Sequence, residues 1–250
     1  MANIEKLEGL AQSEIVVIPI IDVSGSMSGE RIASVNDAMQ DVPEELKDIN
    51  ESLNETKLLI APMEFSSGAR WFALQNNQPA EVESFRWIDM RANGLTDLGA
   101  AFKLLNDKLT VTEKGGWMQG RGGVAPVIIL ISDGDPTDDY QTELEKLKKR
   151  GWFKAALKFA VAVEGANMNV LAEFTGNSEA VIDTTVIKND LASIIKTVVR
   201  TASQCQSENG SKSGNYDVES KNEDDTNAQA QQDAIEAVKN NLSLDSEDLF

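Results

Sequence analysis

Histidine is missing altogether from this chain, and cysteine occurs once, at Cys205. The first absence excludes histidine-based catalytic triads, histidine-ligated zinc and imidazole acid–base chemistry. The second excludes an intrachain disulfide, so nothing here reads as a secreted, disulfide-held scaffold. No apolar run approaches the ~20 residues that span a bilayer. The opening residues, Met-Ala-Asn-Ile-Glu-Lys-Leu-Glu, lack the basic start and apolar stretch of a secretion signal. Basic residues are scarce too: 23 Lys and Arg stand against 41 Asp and Glu, a formal net charge of -18. A surface of that sign repels nucleic acids and anionic membranes. The expectation is a soluble, cytoplasmic protein that binds neither, and whose partner offers a basic surface or is reached through a metal bridge.

What is present divides in two. At 250 residues the chain suits one sizeable domain and an appendage. Apolar runs alternate with helical patterns as far as residue 201, which predicts a mostly parallel sheet covered on both faces. Strands are expected at Ile15–Ile21, Lys57–Phe65, Ala125–Ile131, Ala156–Val163 and Ala180–Asp183, with Ala69–Leu74 as an antiparallel edge strand. Helices follow at the spacing of Ile32, Val35, Met39 and Val42, after Thr96, and over 140–149, 167–174 and 190–201. Pro43 should end or kink the first of them. Pro19 cannot donate to a ladder, so it is expected at a bulge or an unpaired position of the first strand.

Three segments carry oxygen donors at strand ends. The apolar run Ile15–Ile21 leads into Asp22-Val23-Ser24-Gly25-Ser26, and Gly25 should let the backbone curl there. The run ending at Ile131 leads into Asp133 and Gly134, and Thr96 opens a helical pattern after Gly94. In an open α/β sheet ligands collect beyond the carboxyl ends of the strands, so these segments should converge. Hard oxygen ligands without nitrogen or sulfur favour Mg2+, Mn2+ or Ca2+ over zinc or copper. Helix capping explains one such residue per helix end. It does not require Asp22, Ser24 and Ser26 together with a second carboxylate at Asp133.

The set Asp22, Ser24, Ser26, Thr96 and Asp133 resembles the metal-ion-dependent adhesion site of von Willebrand factor type A (VWA) domains, with the element order of such a domain. The wording Asp22-Val-Ser-Gly-Ser-Met27 and Ser132-Asp-Gly-Asp-Pro-Thr-Asp138 is most similar to bacterial cytosolic VWA proteins linked to tellurium resistance and stress. The resemblance implies an open, mostly parallel, doubly wound α/β sheet with one antiparallel edge strand, spanning residues 1–201. It also implies a Mg2+ held by those five residues and used to capture an acidic residue of a protein partner, without catalysis. Partners by that resemblance are kinases and phosphatases of a stress system. The alternatives are an AAA+ ATPase of the chelatase or MoxR type, and a Mg2+-dependent phosphohydrolase.

Other readings fare worse. An EF-hand-like loop from Asp133 would need Gly at the position of Asp138 and Glu at that of Leu144. A haloacid-dehalogenase-type phosphatase would need an aspartate where Ser24 stands, and no Gly-x-x-x-x-Gly-Lys-Ser/Thr loop occurs. Asp135, Asp138 and Asp139 are expected as rim acids or helix caps. Trp117, in a glycine-rich loop, is expected either to anchor a partner or to cover the sheet's lower rim. From 202 to 250, eleven acids face three lysines. Its polar composition predicts a largely disordered tail that is dispensable for folding, with a possible short helix near 232–242.

Overall fold

Strand β1 (Ser13–Asp22) is the axis of the fold, with every residue from Ile15 to Asp22 buried. The structure, a computed structural model, describes residues 13–52, 56–120, 123–186, 191–209 and 224–247. On one side β1 pairs in parallel with β6 (Val127–Ser132), which continues in parallel to β7 (Leu157–Ala162) and β8 (Val181–Asp183). On the other side it pairs in parallel with β2 (Thr56–Ile60) and then β3 (Met63–Ser66). The expected single strand over 57–65 is therefore two, separated by Ala61 and Pro62.

That break accounts for Pro19. Val17 accepts from Ala61 N–H on the β2/β3 side, so by the alternation of strands Pro19 points its nitrogen to the same side. The paired stretches there end at Val17 and resume at Ile20, so no ladder bond is lost. Pro19 holds its place opposite Ile129 of β6. Only its nitrogen faces an unpaired stretch, and no bulge is needed.

β4 (Gly68–Trp71) is the antiparallel edge, as expected, and β5 (Ala80–Glu81) adds a second antiparallel pair to β2 inside the long connection to Thr96. Helix α1 (Glu30–Ser52) runs through Pro43 rather than ending there. It shares one face of the sheet with α6 (Leu191–Asn209), while α2 (Leu98–Lys108), α3 (Tyr140–Leu147), α4 (Gly151–Ala155) and α5 (Met168–Thr175) cover the other. Alternation along β1 feeds both: Ile15, Val17 and Ile21 face α1, and Val16, Ile18 and Ile20 face α2. Trp117 is buried at 3 % exposure, edge-on to Trp71 with ring centroids 4.3 Å apart, and its Nε1–H donates to Asn77 O. It closes the lower rim and is no partner anchor.

The appendage departs most from expectation. Ordered structure does not stop at 201: α6 runs to Asn209, and a further helix, α7 (Asp224–Glu247), contains the short helix expected near 232–242. Residues 210–223 and 248–250 lie outside the described residues. α7 is docked on the α1/α6 face, with Ala234, Ile235, Val238 and Leu242 fully within the core. Gln231 holds both backbone groups of Lys158 on β7, at 2.9 and 2.7 Å, and Asn241 donates to Thr201 of α6 at 2.9 Å. Composition averaged over an acidic segment hid this, because four apolar residues on one helical stripe suffice to fill a slot that the sheet leaves open. Helix α7 is thus part of the fold. Removing residues 210–250 should lower Tm by at least about 5 °C, and Ile235→Asp should reproduce most of that loss. Unchanged thermal unfolding of both variants would show that α7 contributes nothing.

Candidate metal centre

At the carboxyl end of β1, Asp22 is wholly buried, and its Oδ1 accepts the backbone N–H of Ser24 at 2.8 Å. Its Oδ2 accepts the hydroxyl of Ser132, the last residue of β6, at 2.6 Å. The carboxylate is thereby fixed between the two central strands. Beyond it the chain makes a 3-10 turn, Gly25–Met27, which brings Ser24 Oγ and Ser26 Oγ to 3.0 Å from each other. Ser24 is buried and Ser26 exposed, so the pair leads from the interior to the surface. Gly25 is not among the glycines with left-handed backbone. Its N–H donates to Gly94 O at 3.1 Å, tying the turn to the loop before Thr96.

That loop is pinned on several sides. Asn93 N–H donates to Val23 O, Asp97 N–H to Ser66 O, and Asp97 Oδ2 accepts from Gly68 N–H. Gly94 has φ +84°, and a Cβ there would lie 2.7 Å from Ser67 Oγ, so the position needs glycine. Thr96 exchanges bonds with Thr137: its N–H donates to Thr137 Oγ1 and its carbonyl accepts from Thr137 N–H. Thr137 belongs to the loop that follows Asp133, so the second and third donor segments are clamped together. The clamp continues through Asp138, whose carboxylate accepts the N–H groups of Gly99 and Ala100 at the start of α2. Asp139 caps α3 through Thr142 N–H. Asp139 caps the helix that follows it, as expected, whereas Asp138 serves the start of the preceding α2.

Asp133 is the informative member. It is buried; its carbonyl accepts Asn167 N–H, and its Oδ2 lies 3.7 Å from Arg31 Nη1. Its Oδ1 is buried with no hydrogen-bond partner. An unmatched carboxylate oxygen away from water is costly, and a cation at that point would satisfy it. Among the described residues no three His, Cys, Asp or Glu side chains form a metal-holding group. The donors here are two carboxylates and three hydroxyls, and that set fits a hard divalent ion. The structure thus brings all five expected residues, Asp22, Ser24, Ser26, Thr96 and Asp133, to one edge.

Three contributors escaped the sequence. Ser132 and Thr137 orient Asp22 and Thr96, but serine and threonine at strand ends and in loops are too common to stand out. Arg31 donates to Ser26 O at 3.0 Å as well as facing Asp133. Its signal was available: it is the only basic residue between Lys6 and Lys47. The balance of charge is still negative, and burial, with Asp133 as a lesser cause, holds the Asp22 carboxyl above its usual range.

An open doubly wound sheet with an oxygen cluster at its carboxyl edge is the class of domain defined so far. The model of the von Willebrand factor type A domain matches residues 16–200, and the chain belongs to that family. Solved structures of similar fold include proximal thread matrix protein 1 from the mussel byssus, at 16% identity over 77% of this chain and 48% of that one, TM-score 0.53. The same mussel protein with a zinc-occupied MIDAS motif aligns at 15% identity over 78% and 49%, TM-score 0.54. A von Willebrand factor type A protein from Catenulispora acidiphila aligns at 16% identity over 76% and 43%, TM-score 0.53. The aligned part covers less than half of those chains. No curated protein matches.

A raised carboxyl pKa favours the folded state only in its protonated form, so this contribution is present at acid pH and lost as pH rises through the raised value. In EDTA at neutral pH, Asp22→Asn should therefore melt at the same temperature as the parent or a few degrees higher, with the gain fading in acid. A variant that is less stable at neutral pH would show that the charge of Asp22 is already compensated.

Proposed function

We propose that the domain is a metal-dependent protein-binding module. Ser24, Ser26 and Thr96 would hold a Mg2+ directly, with Mn2+ or Ca2+ as substitutes, while Asp22 and Asp133 coordinate directly or through water. The observation that carries this reading is the orphaned Asp133 Oδ1 beside the hydrogen-bonded Asp22, Ser24 and Ser26. Two carboxylates neutralise a divalent ion, and neutral hydroxyls leave it electrophilic. When bound, Mg2+ keeps about six oxygens and carries water wherever the protein supplies none. The exposed Ser26 puts that open side toward solvent, where an Asp or Glu of a partner can replace water. This also explains how a chain of net charge -18 can engage an acidic group.

Binding is favoured over catalysis because the chain has no histidine to serve as an acid–base group. A cytoplasmic role in a bacterial tellurium-resistance or stress system, beside kinases and phosphatases, rests on the wording around Asp22 and Asp133 alone. Docking on an AAA+ ATPase rests on fold-level analogy. Among the described residues no helix is long and apolar enough to cross a membrane.

Calorimetry with Mg2+ and Mn2+ tests the core of the proposal. The parent should bind one ion, and Asp22→Ala should bind none while unfolding as cooperatively as the parent, because the site lies at the rim. Undiminished affinity in that variant would refute the assignment.

A further inference from the structure

Large hydrophobic side chains are exposed at only four described positions: Ile88, Leu95, Met168 and Val186. Scattered exposed apolar residues need no explanation. Two of these are not scattered. Leu95, 56 % exposed, immediately precedes Thr96, and its N–H is held by Ser67 Oγ. Met168, 39 % exposed, immediately follows Asn167, whose N–H donates to Asp133 O and whose side chain donates to Asp135. Each is thus one residue from a group that is, or is bonded to, a proposed ligand. Arg31, a third exposed, donates to Ser26 O and faces Asp133.

We infer that Leu95 and Met168 form the apolar walls of the capture site, and that its partner is a protein segment whose acidic residue has an apolar residue on each side. This rests on the reading that a bound metal captures a carboxylate. Arg31 takes the second oxygen of that carboxylate, which the metal leaves free. Charge sets the flanks: Asp135 and Asp139 are exposed around the same loop, so further acids on the partner are repelled. Apolar flanks are not, and they cover Leu95 and Met168 from water.

The test uses the full chain in saturating Mg2+ and three blocked peptides, Gly-Leu-Glu-Leu-Gly, Gly-Ser-Glu-Ser-Gly and Gly-Leu-Gln-Leu-Gly, with affinities read by chemical-shift titration. The leucine-flanked glutamate peptide should bind about tenfold tighter than the serine-flanked one, and the glutamine peptide not measurably. Leu95→Ser with Met168→Ser should erase that preference at unchanged Mg2+ affinity. Arg31→Ala should weaken both glutamate peptides and leave their ratio alone. Equal, Mg2+-dependent binding of the two glutamate peptides would overturn the inference and leave metal capture standing. Loss of Mg2+ affinity in the double serine variant would show a structural role only and overturn it too. No Mg2+-dependent binding of either glutamate peptide would overturn the capture reading, and the inference with it.

Discussion

A carboxylate buried at the end of the central strand is the constraint on which the rest of this domain turns. Asp22 has no exposed surface, and its charge is met by the Ser24 N–H and by the hydroxyls of Ser132 and Ser24. A second carboxylate, Asp133, is buried on the adjacent segment with one oxygen unmatched. Two such groups side by side oppose folding unless a cation joins them. Of the two carboxylates, Arg31 faces Asp133, and at 3.7 Å it answers part of that need.

Everything around the pair serves to keep it in place. Parallel pairing of β1 with β6 fixes where Asp22 and Ser132 end. The loop before α2 is stitched to the first turn by Gly25 and to the Asp133 loop by Thr137. Asp138 anchors the same loop to the start of α2, and Gly99 leaves it room: a Cβ there would lie 2.8 Å from Asp138 Oδ2. The donors are consequently set before any ion arrives, so little ordering has to occur on binding. Rigidity at the rim is supplied by the core beneath it, to which α7 contributes on the opposite half of the sheet.

The donors were legible in sequence because their signal is local: an apolar strand, then an acid and hydroxyls at alternate positions. Pro19 looked like a fault in that strand only because the break at Ala61 and Pro62, in a different segment, cannot be seen from residue 19. Trp117 looked exposed because its neighbours are glycines, whereas its burial depends on Trp71 and Asn77, some forty residues away. The docking of α7 was hidden for a different reason. Its stripe of Ala234, Ile235, Val238 and Leu242 is sparse, and the space it fills is defined by α6, β7 and α4 rather than by anything in the tail. Arg31 shows the converse, a lone base in an acidic stretch whose isolation was visible and whose meaning came only with the geometry.

The most direct measurement is anomalous diffraction from crystals of the full chain grown with Mn2+. The account predicts one strong peak at the rim, within coordination distance of the hydroxyls of Ser24, Ser26 and Thr96, with Asp133 Oδ1 turned toward it and at least one further ligand from solvent or a neighbouring carboxylate. A peak elsewhere, or none at this edge at saturating Mn2+, would contradict it.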